Sequence, residues 1–347
     1  MDPRPFDALL YVSFGGPEKP EDVVPFLENV TAGRGIPRER LEEVGEHYFL
    51  FGGRSPINDL NRDVIGALEG RLADEGADLP VYWGNRNWDP YLREALESMV
   101  ADGVKHAAYF LTSAYSSYSG CRQYRENLAE AVEGLDLRLT RLRLPFNHPG
   151  FVGPFVEHTR AALADAPEGT HVVFVTHSIP DAMDDASGAP ELSGVYRSQH
   201  LEVARLVAEG AGAADWALVY CSRSGSPRTP WLEPDVNDHL EALAADGVTS
   251  VVVVPIGFVS DHMEVVYDLD TEAAATAERL GQRFVRVPTP GTHPDFVAMI
   301  ADLVREAAAA ERGEDVERAS VGDCPVNPAV CPVGCCANAR GPVPAHP

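Results

Sequence analysis

The chain has 347 residues, and its hydrophobic and charged fractions of 45% and 23% are ordinary for a folded protein of one or two domains. Its formal net charge of −25 argues against nucleic acids and anionic membrane surfaces as partners, because it would repel their phosphates. No apolar run approaches the roughly 18 residues of a membrane span, and the first residues lack a secretory signal. We therefore expect a cytoplasmic protein without a transmembrane segment, whose 6 cysteines are thiols or metal ligands rather than disulfides.

Short apolar runs alternate with longer amphipathic segments along the chain. The apolar runs cover residues 8–14, 81–84, 106–112, 172–176, 217–221, 251–258 and 284–287. The amphipathic segments between them include 58–75, 91–102, 196–209 and 271–280. This alternation predicts an α/β fold with mainly parallel sheets that are flanked by helices.

The two halves of the chain also resemble each other. Three pairs of segments match in the same order: 9–17 with 172–180, 81–82 and 88–90 with 219–220 and 231–234, and 101–104 with 245–248. The repetition predicts two similar Rossmann-like domains. Because ligands of such folds bind at the carboxyl ends of the strands, we expect a cleft between the two domains.

We place the first α/β domain at residues 1–150 and the second at 151–290, and we expect a helix over 291–312 to pack back on the first domain. The tail, 313–347, is rich in cysteine and proline, and proline at this density excludes regular helix and central strand. The chain contains no G-x-G-x-x-G motif that follows a strand, no P-loop and no G-x-S-x-G motif. Nucleotide binding and hydrolase chemistry therefore lack support.

His177 directly follows an apolar run that ends at residue 176. A histidine at the carboxyl end of a strand points toward the expected cleft, and its ordinary pKa suits proton transfer near neutral pH. A capping or buried, hydrogen-bonded histidine is the alternative interpretation, and position alone does not choose between them.

A series of acidic residues follows the apolar run 251–258. If this segment is one helix, the carboxylates share a face at i, i+3, i+7 and i+11, and they are Asp261, Glu264, Asp268 and Glu272. Such a row at the cleft could pass a hydrated cation inward or protons outward, since oxygen ligands release divalent metal readily. A solvated acidic face is the alternative in so acidic a chain.

Cationic and polar side chains occur between glycines in the first half. Arg34 lies between Gly33 and Gly35, and Arg54 and Ser55 follow Gly53. Glycine lets the backbone approach a ligand closely, and arginine binds carboxylates in bidentate fashion. These residues, with Tyr124, are candidate substrate contacts, and ordinary surface turns are the alternative.

Four segments together resemble the signature segments of ferrochelatases: residues 10–17, 52–56, 176–180 and 255–264. The resemblance extends from about residue 6 to 310, with the segments in the same order and spacing. It is most similar to the actinobacterial branch, whose members act on coproporphyrin III rather than protoporphyrin IX. It implies a two-domain chelatase fold and an enzyme that inserts Fe²⁺ into coproporphyrin III in haem biosynthesis, without an organic cofactor.

The resemblance also implies roles for individual residues. His177 and Glu264 match the pair that flanks the metal insertion site, and Asp268 and Glu272 match an acidic path toward solvent. Ser55 and Tyr124 match positions that contact the porphyrin. Phe14 stands where some relatives have a tyrosine that can ligate iron. Thr31 and His47 stand where some relatives have arginine near the propionates, and Arg54 and Arg34 are the candidates to replace those cations.

The tail resembles the C-terminal [2Fe–2S] extension of some ferrochelatases, and four thiolates are the usual ligands of such a cluster. We expect the ligands to be Cys121, Cys324, Cys331 and Cys336. Cys336 is preferred to Cys335 because it fits a four-residue gap better, and Cys121 is preferred to Cys221. A set of four tail cysteines with both Cys335 and Cys336 is the less favoured alternative, because adjacent ligands are geometrically awkward. Zinc and a disordered tail are the alternatives. For the whole chain, a protoporphyrin IX ferrochelatase and a non-catalytic tetrapyrrole or metal carrier remain alternatives, and a transient product-acceptor protein is an expected partner.

Overall fold

The computed structural model describes residues 1–33, 35–224, 228–339, 341 and 343–346. Its strands form two four-stranded parallel sheets, one in each lobe. The first contains β1 (Ala8–Ser13), β2 (Val81–Asn85), β3 (His106–Leu111) and β4 (Arg138–Arg141) in the order β2-β1-β3-β4. The second contains β5 (His171–His177), β6 (Trp216–Cys221), β7 (Ser250–Val254) and β8 (Arg283–Arg286) in the order β6-β5-β7-β8. The equal strand orders confirm the prediction of two similar α/β units.

All seven predicted apolar runs are strands. Every residue of β1, β3 and β7 is buried, as expected for parallel strands that helices cover on both faces. The apolar pattern does not predict β4, because this edge strand has four residues and an arginine at each end. β7 ends at Val254 rather than at residue 258, since the next residue, Pro255, has no amide hydrogen for a ladder.

Helices connect the strands, and the four predicted amphipathic segments correspond to α3, α4, α8 and α11. The α-helices of the described residues are α1 (Val23–Val30), α2 (Arg38–Phe49), α3 (Ile57–Asp74), α4 (Leu92–Ala101), α5 (Gln123–Val132), α6 (Pro149–Ala164), α7 (Asp181–Asp185), α8 (Val195–Ala211), α9 (Val236–Ala245), α10 (Met263–Tyr267), α11 (Ala274–Leu280) and α12 (Pro294–Glu311). Two π-helical turns, Tyr118–Arg122 and Asp268–Ala273, precede α5 and α11.

The two lobes share their largest apolar core. It includes Phe110 of β3, Phe174 of β5 and Phe296 of α12, each at most 1% exposed. α12 packs against α3 and β3 of the first lobe and against α6. The proposed division at residue 150 falls at the start of α6, whose main packing partners are α8 and α12. No helix in the described part of the chain has the length and hydropathy that crossing a bilayer requires.

The described residues of the tail form no helix or strand, yet they dock against both lobes. Asn327, which is 6% exposed, shows how the tail is held. Its Oδ1 accepts hydrogen bonds from Ser116 Oγ of the first lobe and from Gln199 Nε2 of α8, both at 2.9 Å. The tail therefore lies across the junction of the lobes.

Candidate active site

His177 is the last residue of β5, so its side chain lies at the carboxyl end of the second sheet. Its Nδ1 donates to the carbonyl oxygen of Ser178. Nε2 faces Oε1 of Glu264 at 3.3 Å, and the two side chains are 31% and 48% exposed. The sheet edge thus presents an imidazole and a carboxylate together, partly open to solvent.

Glu264 is the second residue of α10, which begins after the loop that leaves β7. Nδ1 of His262 caps this helix by accepting a hydrogen bond from the backbone amide of Glu264 at 3.2 Å. Burial lowers the pKa of His262, which keeps its imidazole neutral and able to accept. His262 therefore fixes the start of the helix that presents Glu264 to His177.

The two facing side chains shift each other's pKa. Burial by itself lowers the pKa of His177, but the carboxylate of Glu264 and the carbonyl of Ser178 together raise it to about 9. Burial by itself raises the pKa of Glu264, but His177 lowers it to about 2. At neutral pH the pair is therefore an imidazolium and a carboxylate.

Two further carboxylates continue from Glu264 toward the surface. Asp268 and Glu272 belong to a π-helical turn, so the backbone here departs from the regular α-helix on which the predicted spacing was based. Asp268 accepts a hydrogen bond from Ser222 Oγ. Burial, together with the charges of Glu264 and Glu272, nevertheless raises the pKa of Asp268 to about 7. Glu272 is exposed.

Asp261 does not belong to this row, and its placement there in the predicted helix is wrong. It pairs with Arg286 of β8 at 3.0 Å and accepts a hydrogen bond from Thr289 at 2.9 Å. The helix starts only at Met263. Asp261 therefore anchors the loop to β8 rather than facing the cleft.

The first lobe places aromatic side chains opposite this group. Phe14 follows β1 and is half-buried, and Tyr124 of α5 is 5% exposed. The guanidinium of Arg86, just after β2, lies 5.6 Å from the ring centre of Phe14 and 4.3 Å from that of Tyr124. Burial raises the pKa of Tyr124; the guanidinium of Arg86 and the hydroxyl of Thr112 oppose this rise, and the carboxylate of Glu264 adds to it. Tyr124, a predicted porphyrin contact of the first lobe, thus lies close enough to the carboxylate of Glu264 in the second lobe to respond to its charge.

The structure gives the other predicted contacts different surroundings. Ser55 is buried beside Gly16, and its Oγ accepts a long hydrogen bond from the amide of Ile57 at 3.5 Å. Arg54 is about half exposed and pairs with Asp59. Arg34 lies outside the described residues.

Thr31 and His47, which the resemblance placed at arginine positions, have partners of their own. The ring of His47 in α2 stacks on that of Tyr267 in α10, with centres 3.8 Å apart. This stack joins the two lobes beside the acidic row. Thr31 donates to the carbonyl of Leu27 at 2.7 Å and ends α1.

Four cysteine side chains lie together where the tail meets the lobes: Cys121, Cys331, Cys335 and Cys336. The Sγ atoms of Cys335 and Cys336 are 3.8 Å apart, and Cys331 contacts both Cys121 and Cys335. Those two contacts lower the pKa of Cys331, and the nearby guanidinium of Arg141 lowers it further. We call these four residues the thiol group.

Cys324, which was predicted as a cluster ligand, lies apart from the thiol group. Cys335, which was not, belongs to the group. The thiol of Cys324 is near Glu202 of α8. The backbone of Cys336 is left-handed, with φ of 50°, which turns the chain so that both adjacent side chains reach the group. Among the residues that the structure describes, no group of three or more His, Cys, Asp or Glu side chains is arranged so that it could hold a metal ion. The sulfur atoms contact one another directly.

Comparisons with known proteins identify the family of this chain. The sequence profile of the ferrochelatase family matches residues 6–308. This chain belongs to the ferrochelatase family. The coproporphyrin III ferrochelatases of Streptomyces griseus and Streptomyces coelicolor are 58% and 56% identical to it, and each alignment covers 99% of this chain and 96% of the relative. The ferrochelatase of Rhodopirellula baltica is 49% identical, with coverages of 96% and 93%.

Solved structures share the fold of this ferrochelatase-family chain. SirB from Bacillus subtilis with Fe³⁺ superposes with a TM-score of 0.53 at 16% identity, covering 89% of this chain and 99% of SirB. The sirohydrochlorin chelatase SirB of Bacillus subtilis subspecies spizizenii, in complex with cobalt, gives 0.53 at 14% identity, with coverages of 88% and 97%. At such identities the likeness shows the two-lobed chelatase fold alone.

Three residues of this ferrochelatase site were not predicted: Ser222, His262 and Arg86. Ser222 follows β6 and Arg86 follows β2, the strands that flank the central β5 and β1. Because both side chains come from strand ends at the cleft, the rule that selected His177 could have found them too. No pattern in the sequence indicates that His262 caps α10.

Proposed function

We propose that this protein inserts Fe²⁺ into coproporphyrin III, with release of two protons, as a step of haem biosynthesis. The observation that carries the proposal is the 3.3 Å pair of His177 and Glu264, which lies across the cleft from Tyr124. The two Streptomyces relatives, which are named for coproporphyrin III, support the choice of substrate.

His177 acts as the proton acceptor and Glu264 as the first protein ligand of the incoming metal. In the free protein, Glu264 keeps His177 protonated. When Fe²⁺ binds Glu264, its charge cancels that of the carboxylate and the pKa of His177 falls. The imidazole then loses its proton and can accept one from a pyrrole N–H.

Each iron that enters the ring displaces two protons, and the acidic row carries them away. Asp268, with a pKa of about 7, can both accept and release a proton at neutral pH. The exposed Glu272 follows toward solvent. The same row can admit Fe²⁺, because carboxylate oxygens exchange divalent metal readily. No electron is transferred, so the reaction needs no organic cofactor.

The macrocycle occupies the space between Glu264 and the wall of Phe14 and Tyr124. Ser55 and Arg54 belong to the first lobe, like Phe14 and Tyr124, and are the proposed contacts near the rim of the macrocycle. Coproporphyrin carries four propionates, and a chain with a net charge of −25 opposes them. We therefore place the propionate edge of the macrocycle in water. We also propose that the protein is cytoplasmic and passes its product to a transient acceptor protein.

An anaerobic assay of Fe²⁺ with coproporphyrin III or protoporphyrin IX tests the reaction. The expected result is conversion of the free-base spectrum to that of the iron porphyrin, with coproporphyrin III as the better substrate. Equal or faster metallation of protoporphyrin IX would contradict the assignment of coproporphyrin III as the substrate. Binding of both porphyrins without metallation would favour a carrier over an enzyme.

We further propose that the thiol group ligates a [2Fe–2S] cluster. The donors are of the right kind, since four thiolates are the usual ligands, although the sulfur atoms contact one another and would have to separate around a cluster. The guanidinium of Arg141 donates to the sulfurs of Cys121 and Cys331 at 3.2 and 3.1 Å. A bound cluster supplies an anionic, redox-active centre. Cys331, Cys335 and Cys336 of the tail would hold it against Cys121 of the first lobe. Zinc bound by four thiolates is the alternative.

Metal and sulfide analysis of anaerobically purified protein tests this assignment, together with a matched pair of variants. Cys335→Ser removes a member of the thiol group, whereas Cys324→Ser removes a tail cysteine that lies apart from it. We expect iron and acid-labile sulfide in the wild type and in Cys324→Ser, and their loss in Cys335→Ser. Loss of iron and sulfide in Cys324→Ser, with both retained in Cys335→Ser, would favour Cys324 as the ligand, as expected from the sequence. Zinc without acid-labile sulfide would contradict the iron–sulfur cluster.

A further inference from the structure

Arg141, the last residue of β4, is 3% exposed and lies against the thiol group. Its guanidinium donates to Cys121 Sγ at 3.2 Å and to Cys331 Sγ at 3.1 Å. It also donates to the carbonyl oxygens of Ala329 at 3.0 Å and Pro328 at 2.7 Å. The side chain thus joins the first sheet to two cysteines and to the tail segment just before one of them.

The partners of Arg141 differ from those of a neighbouring arginine. Arg143, two residues along the chain, is also buried and pairs with the carboxylate of Glu306 at 2.9 Å. In the part of the chain that the structure describes, no carboxylate lies within ion-pair distance of Arg141. A buried guanidinium without an anion is strongly destabilising. The cysteine sulfurs therefore stand where a carboxylate would be expected.

A metal-bound cysteine sulfur is a thiolate, so a [2Fe–2S] centre with four cysteine ligands is an anion. One added electron makes it more negative. A fixed positive charge in a buried site stabilises the reduced form more than the oxidised form, because the interaction grows with the charge of the centre. Charge and hydrogen bonds to the sulfurs are among the factors that set the potential of such clusters.

We propose that Arg141 is the counter-ion of the iron–sulfur centre, positioning Cys121 and Cys331 and raising the reduction potential of the cluster. The proposal rests on the [2Fe–2S] assignment made above. It concerns a residue that neither touches the cleft nor takes part in metal insertion. Arg141 lies on β4, at one edge of the first sheet, whereas the cleft pair belongs to the second.

The test compares anaerobic redox titrations, followed by electron paramagnetic resonance, of wild type, Arg141→Gln and Arg141→Lys. The electron comes from the added dithionite. We expect Arg141→Gln to lower the equilibrium constant for reduction by tenfold or more, which is about 59 mV for a one-electron couple. Arg141→Lys keeps the charge and is expected to stay between the wild type and Arg141→Gln.

Arg138→Gln is the matched control, because Arg138 lies on the same strand but is exposed and pairs with Glu311 at 2.7 Å. It should leave the potential unchanged. If Arg141→Gln folds without a cluster while Arg141→Lys retains one, the charge is needed for assembly, which supports the counter-ion role.

Three results would overturn the proposal: an unchanged potential in Arg141→Gln, a potential as low in Arg141→Lys as in Arg141→Gln, or folded protein without a cluster in both. A wild type without acid-labile sulfide would contradict the cluster assignment itself. The two failures are therefore distinguishable.

Discussion

In the cleft, the candidate ligands are an imidazole and a carboxylate whose side chains are 31% and 48% exposed. In the thiol group, the ligands are sulfurs, and three of the four residues are at most 5% exposed. Nitrogen and oxygen donors open to water exchange metal, whereas thiolates enclosed by protein retain it. The difference in donors and exposure matches the two proposed roles, in which iron passes through the cleft and stays in the thiol group.

The two sites also differ in how charge is balanced. In the cleft, His177 and Glu264 neutralise each other, so an entering cation competes with a charge that the protein already provides. In the thiol group, the guanidinium of Arg141 donates to two cysteine sulfurs and two backbone carbonyls, and no carboxylate of the described residues pairs with it. The first arrangement favours turnover and the second favours permanent binding of an anionic centre.

Replacing His177 should give the largest effect on turnover and none on the thiol group. We expect His177→Ala to lower kcat by about 10²–10⁴-fold, the usual contribution of a general base, while coproporphyrin binding and the iron and sulfide content persist. His239→Ala is the control, because His239 contacts His171 at the opposite end of β5. Loss of the resident iron in His177→Ala would show that the two sites are not independent.

Removing the charge of Glu264 should change the titration of its partner. In Glu264→Gln, the pKa of His177 is expected to fall from about 9 toward or below its ordinary value, because burial then acts without the carboxylate. Since the folded-state pKa is the higher one, this group stabilises the wild type fully below about pH 6.5 and loses that contribution as pH rises through 9. Histidine proton NMR and urea unfolding between pH 6 and 10 measure both effects. An unchanged pKa would mean that the pair does not exist in solution.

The sequence predicted much of this arrangement because the relevant signals are local. Strands that are buried on both faces appear in the sequence as apolar runs. Because His177 directly follows such a run, its position at the carboxyl end of a strand could be predicted. The thiol group was harder to predict, because Cys335 joins the group that includes Cys121 only after the tail has docked against both lobes. The contact between Ser222 and Asp268 joins β6 to a π-helical turn, and no residue spacing encodes it.

Asp268→Asn should remove a limb of the pH–rate profile. The pKa of Asp268 is about 7, so in the wild type the carboxylate forms, and the rate of iron insertion rises, between pH 6 and 8. The asparagine variant should be slower, with a flat rate over this range. Asp270→Asn is the matched control, because Asp270 belongs to the same turn but pairs with Arg286. Persistence of the limb in Asp268→Asn would assign it to another group.

Ser222→Gly should change the pH–rate profile least of these variants. It removes the hydrogen bond that Asp268 accepts from Ser222 but leaves the carboxylate of Asp268 in place. Ser222 has a left-handed backbone with φ of 62°, which glycine adopts without strain, so the variant removes the hydroxyl alone. Because the hydroxyl stabilises the ionised carboxylate of Asp268, its loss should raise that pKa above 7 and move the limb to higher pH. The same change in the Asp268→Asn background should have no further effect on the profile. If Ser222→Gly still changed the pH–rate profile in the Asp268→Asn background, Ser222 would not act through Asp268. The pH–rate profile would then give no support for proton transfer through the acidic row.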